Sequence, residues 1–70
     1  MPTVRAAKMP GRINEYTVED GATVNDVLAV ADLGSTEGFE VRLNGASDID
    51  PATRVSEGDT IIMVRKIKGN

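Results

Sequence analysis

Few side chains in this sequence could carry out chemistry. It contains no histidine and no cysteine, so it lacks the commonest metal ligand, the acid–base group that titrates near neutral pH, and any thiolate. Asp48, Asp50 and Asp59 carry oxygen atoms of the kind that Ca²⁺ or Mg²⁺ prefers, but the segment of residues 48–53 has neither the length nor the glycine of a calcium-binding EF-hand loop. We therefore assign them to turns and caps, and expect no catalytic residue, no metal site, no cofactor and no enzymatic activity.

The charge of the chain is unevenly distributed along it. The formal net charge is −3, which argues against broad binding to nucleic acid or to an anionic membrane, because both need a basic surface. Arg65, Lys66 and Lys68 nevertheless lie close together near the end of the sequence. They could steer that end into an acidic groove of a partner, or they could only keep an exposed strand end soluble and unpaired.

Two alternating segments open the chain. Residues 3–9 alternate weakly and stop at Pro10-Gly11, a dipeptide that favours a turn, and residues 13–18 alternate again. This pattern predicts an N-terminal β-hairpin.

A helix is predicted over residues 23–33. The Thr23 hydroxyl can accept a hydrogen bond from the first turn, and Asp26 stands where a capping box has its acid. Gly34 follows as the residue expected just beyond the helix end. Apolar residues at helical spacing form one stripe that must pack on a flat apolar surface. They are Val24, Val27, Leu28 and Ala31.

The second half of the chain predicts two more strands. Residues 39–43 alternate and end at the turn signal Asn44-Gly45. Residues 46–54 are acidic and interrupted by a proline, so they can supply at most an edge strand and a turn. Residues 60–68 are rich in β-branched side chains and predict the last strand.

Alternation along the last strand carries the main binding hypothesis. The helix can cover only one face of the sheet. The residues predicted beneath it are Ile61, Met63 and Ile67, and those predicted on the open face are Ile62, Val64, Lys66 and Lys68. In this arrangement Ile62 and Val64 lie beside basic residues and form an apolar centre with a charged rim, as interaction surfaces often do. The alternative is that both residues only satisfy strand propensity.

The order strand, strand, helix, strand, short edge, strand predicts an α+β fold. We expect a β-grasp (ubiquitin-like) domain: a mixed four- to five-stranded sheet, one helix packed on one face, and the first and last strands parallel at the centre. A chain of 70 residues has room for one core, so we expect a single domain over residues 1–70 with residues 66–70 as a flexible tail. No membrane span or signal-peptide pattern is evident, so we expect a cytoplasmic monomer.

The element order and three short motifs resemble the ubiquitin-like sulfur carriers of the ThiS and MoaD type. Leu43-Asn44-Gly45, Gly58-Asp59 and the final Gly69-Asn70 stand where that family has an "LNG"-like turn, a "GD" pair and a terminal Gly-Gly. The resemblance implies a β-grasp fold and a tail that an ATP-dependent activating enzyme adenylates before it is thiolated. The departure is Asn70, because a side chain would clash in the narrow channel where only glycine fits.

Two functions follow as hypotheses. The first is a non-catalytic ubiquitin-like protein bound by a larger protein partner through its open sheet face and its tail. The predicted partner-binding residues are Ile62, Val64, Lys66, Lys68, Gly69 and Asn70. The second is a sulfur carrier for thiamine or molybdopterin synthesis, with an ATP-dependent activating enzyme as the partner. A small RNA- or ligand-binding module is disfavoured by the acidic balance.

Overall fold

The computed structural model describes residues 1–33, 36–47 and 49–66. These residues form four strands and one helix: β1 (Thr3–Lys8), β2 (Asn14–Thr17), α1 (Val24–Ala31), β3 (Phe39–Leu43) and β4 (Thr60–Arg65). The order agrees with the prediction from the sequence. The bounds of β3 are those predicted, whereas β1, β2 and α1 are shorter than their predicted segments. The predicted end of the last strand and most of the predicted flexible tail, at residues 67–70, lie outside the described residues.

The strands form one sheet in the order β2-β1-β4-β3. The central strands β1 and β4 are parallel, with Ala6 opposite Ile61. Both outer pairs are antiparallel. The first and last strands thus occupy the middle of a mixed sheet, as predicted for a β-grasp fold.

The core lies between α1 and one face of this sheet. On the helix, Val24, Val27 and Leu28 are buried. On the central strands, the buried residues of the core are Val4, Ala6, Ile61 and Met63. Both Ile61 and Met63 are 0% exposed, and burying a side chain of this size contributes about 1.5–3 kcal/mol. The predicted stripe and the predicted covered face of β4 are confirmed for these residues.

The start of α1 is the predicted capping box. The Thr23 Oγ1 accepts a hydrogen bond from the Asp26 N–H at 3.2 Å, and the Asp26 Oδ2 accepts from the Thr23 N–H at 3.0 Å. These two bonds pair two of the donors that a helix N-terminus leaves without a partner.

The end of α1 differs from the prediction. The helix ends at Ala31 and not at Leu33, because Asp32 turns left-handed with φ 53° and ψ 47° and its N–H donates to the Ala29 carbonyl. Aspartate is among the few residues besides glycine that visit this conformation. The predicted C′ residue Gly34 lies outside the described residues. At eight residues, α1 is too short to cross a membrane, and the described part of the chain has no other helix.

The segment that follows β3 forms turns and no strand among its described residues. Two isolated bridges connect it to the rest of the chain, at Leu43–Ala46 and at Thr23–Arg54. Asp50 takes the turn role predicted for it, since its Oδ1 accepts a hydrogen bond from the Ala52 N–H at 2.9 Å. The described sheet therefore has four strands, within the predicted range of four to five, and the edge strand that residues 46–54 could at most supply is not formed among the described residues of this segment.

Candidate functional site

The sheet face opposite α1 carries Ile62 and Val64 at its centre. In the register of the sheet, Ile62 lies between Ala7 of β1 and Arg42 of β3, and Val64 lies beside Glu40. Ile62 and Val64 are half-buried and stand outside the core cluster. The structure thus places both on the open face, as predicted, and their binding of a partner stays a prediction.

Ala7 extends this apolar centre onto β1. It is 0% exposed and stands outside the core cluster. Its partner on β4 is Ile62. The site predicted from the sequence omits Ala7, because the alternation of the last strand alone defines that site. The same two-residue period along β1 would have found it.

The rim of the open face carries both signs of charge. The Arg42 Nε lies 2.7 Å from the Glu40 Oε2, and the Arg5 Nε lies 3.5 Å from the Glu15 Oε2. Such exposed ion pairs stabilise a fold by at most about 1 kcal/mol. A partner can therefore replace them with its own charges at a small cost in free energy. The rim is charged, as the sequence predicts, and it carries acidic as well as basic residues.

Lys66 is the last described residue of the predicted site. Its side chain is exposed, and its backbone N–H donates to the Gly38 carbonyl at 2.9 Å. This bond continues the β3–β4 pairing one step beyond β4. Alternation extended to Lys66 predicts the open face, whereas Lys66 also lines a cleft that Val24 and Leu28 of α1 line. The remaining predicted binding residues, Lys68, Gly69 and Asn70, lie outside the described residues.

Two other basic side chains lie near the end of β4. The Lys8 Nζ is 4.5 Å from the centre of the Phe39 ring, within the range of a cation–π contact. Arg65 is exposed and stands opposite Phe39 across the β3–β4 pair. Lys8, Arg65 and Lys66 therefore place three cations near the end of β4.

Asn44 connects two of the motifs that carry the family resemblance. Its Nδ2 donates to the Asp59 Oδ1 at 3.0 Å, and its Oδ1 accepts from the Thr60 N–H at 2.9 Å. Asp59 also caps its own turn, because its Oδ2 accepts from the Ser56 N–H at 2.7 Å. This assembly of Asn44, Asp59, Thr60 and Ser56, here the asparagine clamp, confirms the turn role predicted for Asp59.

The described residues hold no group of three or more acidic side chains that could bind a metal ion. Asp48, the third residue weighed as a cation ligand, lies outside them.

The fold has clear counterparts among solved structures. No protein-family model and no curated protein matches this sequence. A ubiquitin of Caldiarchaeum subterraneum superposes with a TM-score of 0.64 at 18% identity, over 99% of this chain and 98% of that one. A ubiquitin-like protein from the same hyperthermophilic archaeon gives 0.58 at 21% identity, over 96% and 99%. A computationally designed protein based on human erythrocytic ubiquitin gives 0.58 at 25% identity, over 100% and 98%.

These matches cover nearly the whole of each chain. Together with the mixed sheet and its single described helix, they establish an α+β, ubiquitin-like β-grasp fold. The chain is thus a small protein of ubiquitin-like fold. The narrower likeness to sulfur carriers is carried by its sequence motifs alone.

Proposed function

We propose that this chain is a non-catalytic ubiquitin-like protein that a larger protein binds through the open face of the sheet. The observation that carries the proposal is the position of Ile62 and Val64, half-buried on a central strand and facing away from the helix. A partner that covers them removes apolar area from water at about 25 cal/mol per Å². Their place in the middle of the sheet lets a partner contact β1 and β3 at the same time.

The charged rim supplies orientation in this proposal. Arg42 and Glu40 lie on one side of the apolar centre, and Arg5 and Glu15 on the other. Rim charges of both signs select a partner of complementary pattern and affect association rate more than affinity. An apolar centre within a polar rim is the usual anatomy of protein interfaces.

The tail is the second part of the proposed binding surface. In the sequence, Lys68, Gly69 and Asn70 follow shortly after Val64 and Lys66, and we propose that the partner that covers Val64 also binds these tail residues. With no histidine or cysteine in the chain, we assign it no reaction of its own and no cofactor. We also propose that it acts as a monomer in the cytoplasm, which fits a cysteine-free chain with net negative charge.

A capture experiment with matched variants tests this proposal. Tagged intact chain, Val64→Thr, Val30→Thr and a chain lacking residues 68–70 are incubated with lysate of the organism that makes the protein. Val64→Thr removes apolar character from the open face, whereas Val30→Thr makes the same change at an exposed valine on the helix. We expect the Val64 variant and the truncated chain to lose a partner that the Val30 variant keeps, because Val30 lies on the helix and away from the open face. Equal capture by all four chains would refute the proposal.

The second candidate is the sulfur carrier. The observation that favours it is the asparagine clamp, which joins the Leu43-Asn44-Gly45 and Gly58-Asp59 motifs into one hydrogen-bonded unit. Intact mass spectrometry after incubation with ATP, a sulfur donor and an activating enzyme of the sulfur-carrier type tests it. A mass gain of an adenylate or of one sulfur atom supports the candidate, and an unchanged mass removes it while leaving the binding proposal in place.

A further inference from the structure

The outer edge of β2 has backbone groups that no other strand uses. The Val18 N–H donates to the Pro2 carbonyl, and hydrogen-bonded pairs alternate with non-bonded pairs along an antiparallel ladder. Tyr16 therefore bonds to Val4 across the β1–β2 pair, whereas Glu15 and Thr17 direct their N–H and C=O groups away from β1. Since β2 is the outermost strand of the described sheet, these groups form an edge that can pair with another strand.

A cleft lies beside this edge. Its volume is about 540 Å³, and its walls include Thr17 and Val18 on the strand side and Val30 on the helix. Val30 is 58% exposed, whereas the other two valines of α1, Val24 and Val27, are buried. The cleft thus offers an apolar contact to a side chain that projects from a strand added at β2.

The charge of the cleft selects its occupant. Glu19, Asp20 and Asp26 line it. Asp20 lies 3.3 Å from the Met1 ammonium group, in a pair that is largely exposed, and Asp26 serves the capping box. Among the described cations, Arg5 is paired with Glu15 of β2, and Lys8 lies at the other end of β1 from the Thr3–Thr17 pair. Glu19 and Asp26 have no cation partner in a described ion pair. Extended segments with basic residues are therefore attracted, and acidic segments are repelled.

We propose that the outer edge of β2 binds an extended segment of a partner protein that carries lysine or arginine on both sides of an apolar residue. The segment adds a strand through the outward groups of Glu15 and Thr17, and backbone hydrogen bonds of this kind are a recurrent mode of peptide recognition. Its apolar side chain packs on Val30, and its cations lie close to Glu19 and Asp20. This surface lies at the margin of the sheet, apart from Ile62 and Val64, so both surfaces can be occupied together.

A peptide titration followed by amide NMR shifts tests the inference. The probe is a capped heptapeptide in which threonine and valine alternate between two terminal lysines, and its control has glutamates in place of the lysines. We expect shifts confined to the β2 edge and the cleft, around Glu15, Thr17 and Val30, and affinity about tenfold higher for the lysine peptide, as two or three exposed charge pairs allow. Equal affinity of the two peptides, shifts centred on Ile62, or no shift at millimolar peptide would overturn the inference.

Two variants and a dilution series complete the test. Thr17→Pro removes the N–H group that points away from β1. The β1–β2 ladder does not use this N–H, so the variant should fold and give dispersed amide signals. It should bind the lysine peptide at least about fivefold more weakly. Val64→Thr, on the open face, should bind the peptide as the intact chain does. If shifts at the same edge appear on raising the protein concentration without peptide, a second copy of the chain occupies the edge and the assignment to a partner's segment is wrong.

Discussion

Asn44 illustrates at the scale of one residue how two distant segments are held together. It is left-handed, with φ 52°, and asparagine tolerates this conformation better than most residues. Its side chain contacts Asp59 and Thr60, at the turn that leads into β4. A single residue thus shapes the turn after β3 and fixes the start of the strand that carries the proposed binding surface.

Two substitutions separate these roles of Asn44. Asn44→Gly keeps access to the left-handed conformation but removes both side-chain hydrogen bonds, and we expect it to lower the free energy of unfolding by about 1 kcal/mol. Asn44→Ala adds the strain of a left-handed alanine, for a total of about 2 kcal/mol. Urea unfolding measures both. An alanine variant no less stable than the glycine variant would contradict the role given to the backbone conformation.

The capping box makes a prediction for Thr23. Thr23→Ala removes the oxygen that accepts from the Asp26 N–H, and the free energy of unfolding should fall by about 1 kcal/mol. Thr23→Ser keeps that oxygen and should cost much less. Thermal unfolding compares them, because 1 kcal/mol corresponds to a shift of about 4–8 °C in a domain of this size. Equal melting temperatures for the serine and alanine variants would mean that the cap contributes nothing.

At the scale of the element, β4 serves two surfaces with alternate residues. Ile61 is 0% exposed beneath α1, and its neighbour Ile62 is half-buried on the other face. The two isoleucines have the same side chain and adjacent positions on one strand. They therefore form a natural pair for comparing the covered and open faces.

The same substitution at both positions tests this division. Ile61→Val should lower the free energy of unfolding by about 1 kcal/mol. Deleting a buried methyl group in this way typically costs roughly 0.5–1.5 kcal/mol. Ile62→Val should cost less than about half of that, because water already reaches part of the side chain. Urea titrations of the two variants side by side give the difference. A larger loss of unfolding free energy for Ile62→Val than for Ile61→Val would contradict the assignment of Ile61 to the covered face and Ile62 to the open face.

The elements with a clear period were predictable from the sequence. The bounds of β3 agree because Phe39, Val41 and Leu43 alternate without interruption. The end of α1 was not predictable, since Asp32 took the left-handed position two residues before the glycine expected there. The asparagine clamp was also missed, although both of its motifs were recognised. Its contact between Asn44 and Asp59 depends on the pairing of β3 with β4, which a local pattern does not specify.

At the scale of the molecule, charge is separated along the central strands. Three acidic residues lie near the start of β1. Asp20 is beside Met1. The Glu57 carboxylate accepts a hydrogen bond from the Thr3 N–H, and the Asp59 backbone carbonyl accepts one from the Arg5 N–H. Lys8 and Lys66 lie at the other end, near the end of β4. A partner that approaches the open face therefore meets an electrostatic field that runs from the basic end to the acidic end of the sheet. Such a field can orient the partner before contact.

The central claim is that the open face of this ubiquitin-like sheet is the surface that a partner protein covers. An amide NMR titration of the labelled chain with the captured partner tests it most directly. We predict that the largest shifts or line broadening occur at Ala7, Arg42, Ile62 and Val64, while the outward residues of α1, Asn25 and Ala29, stay unchanged. Perturbations confined to α1, with Ile62 and Val64 unaffected, would contradict the claim.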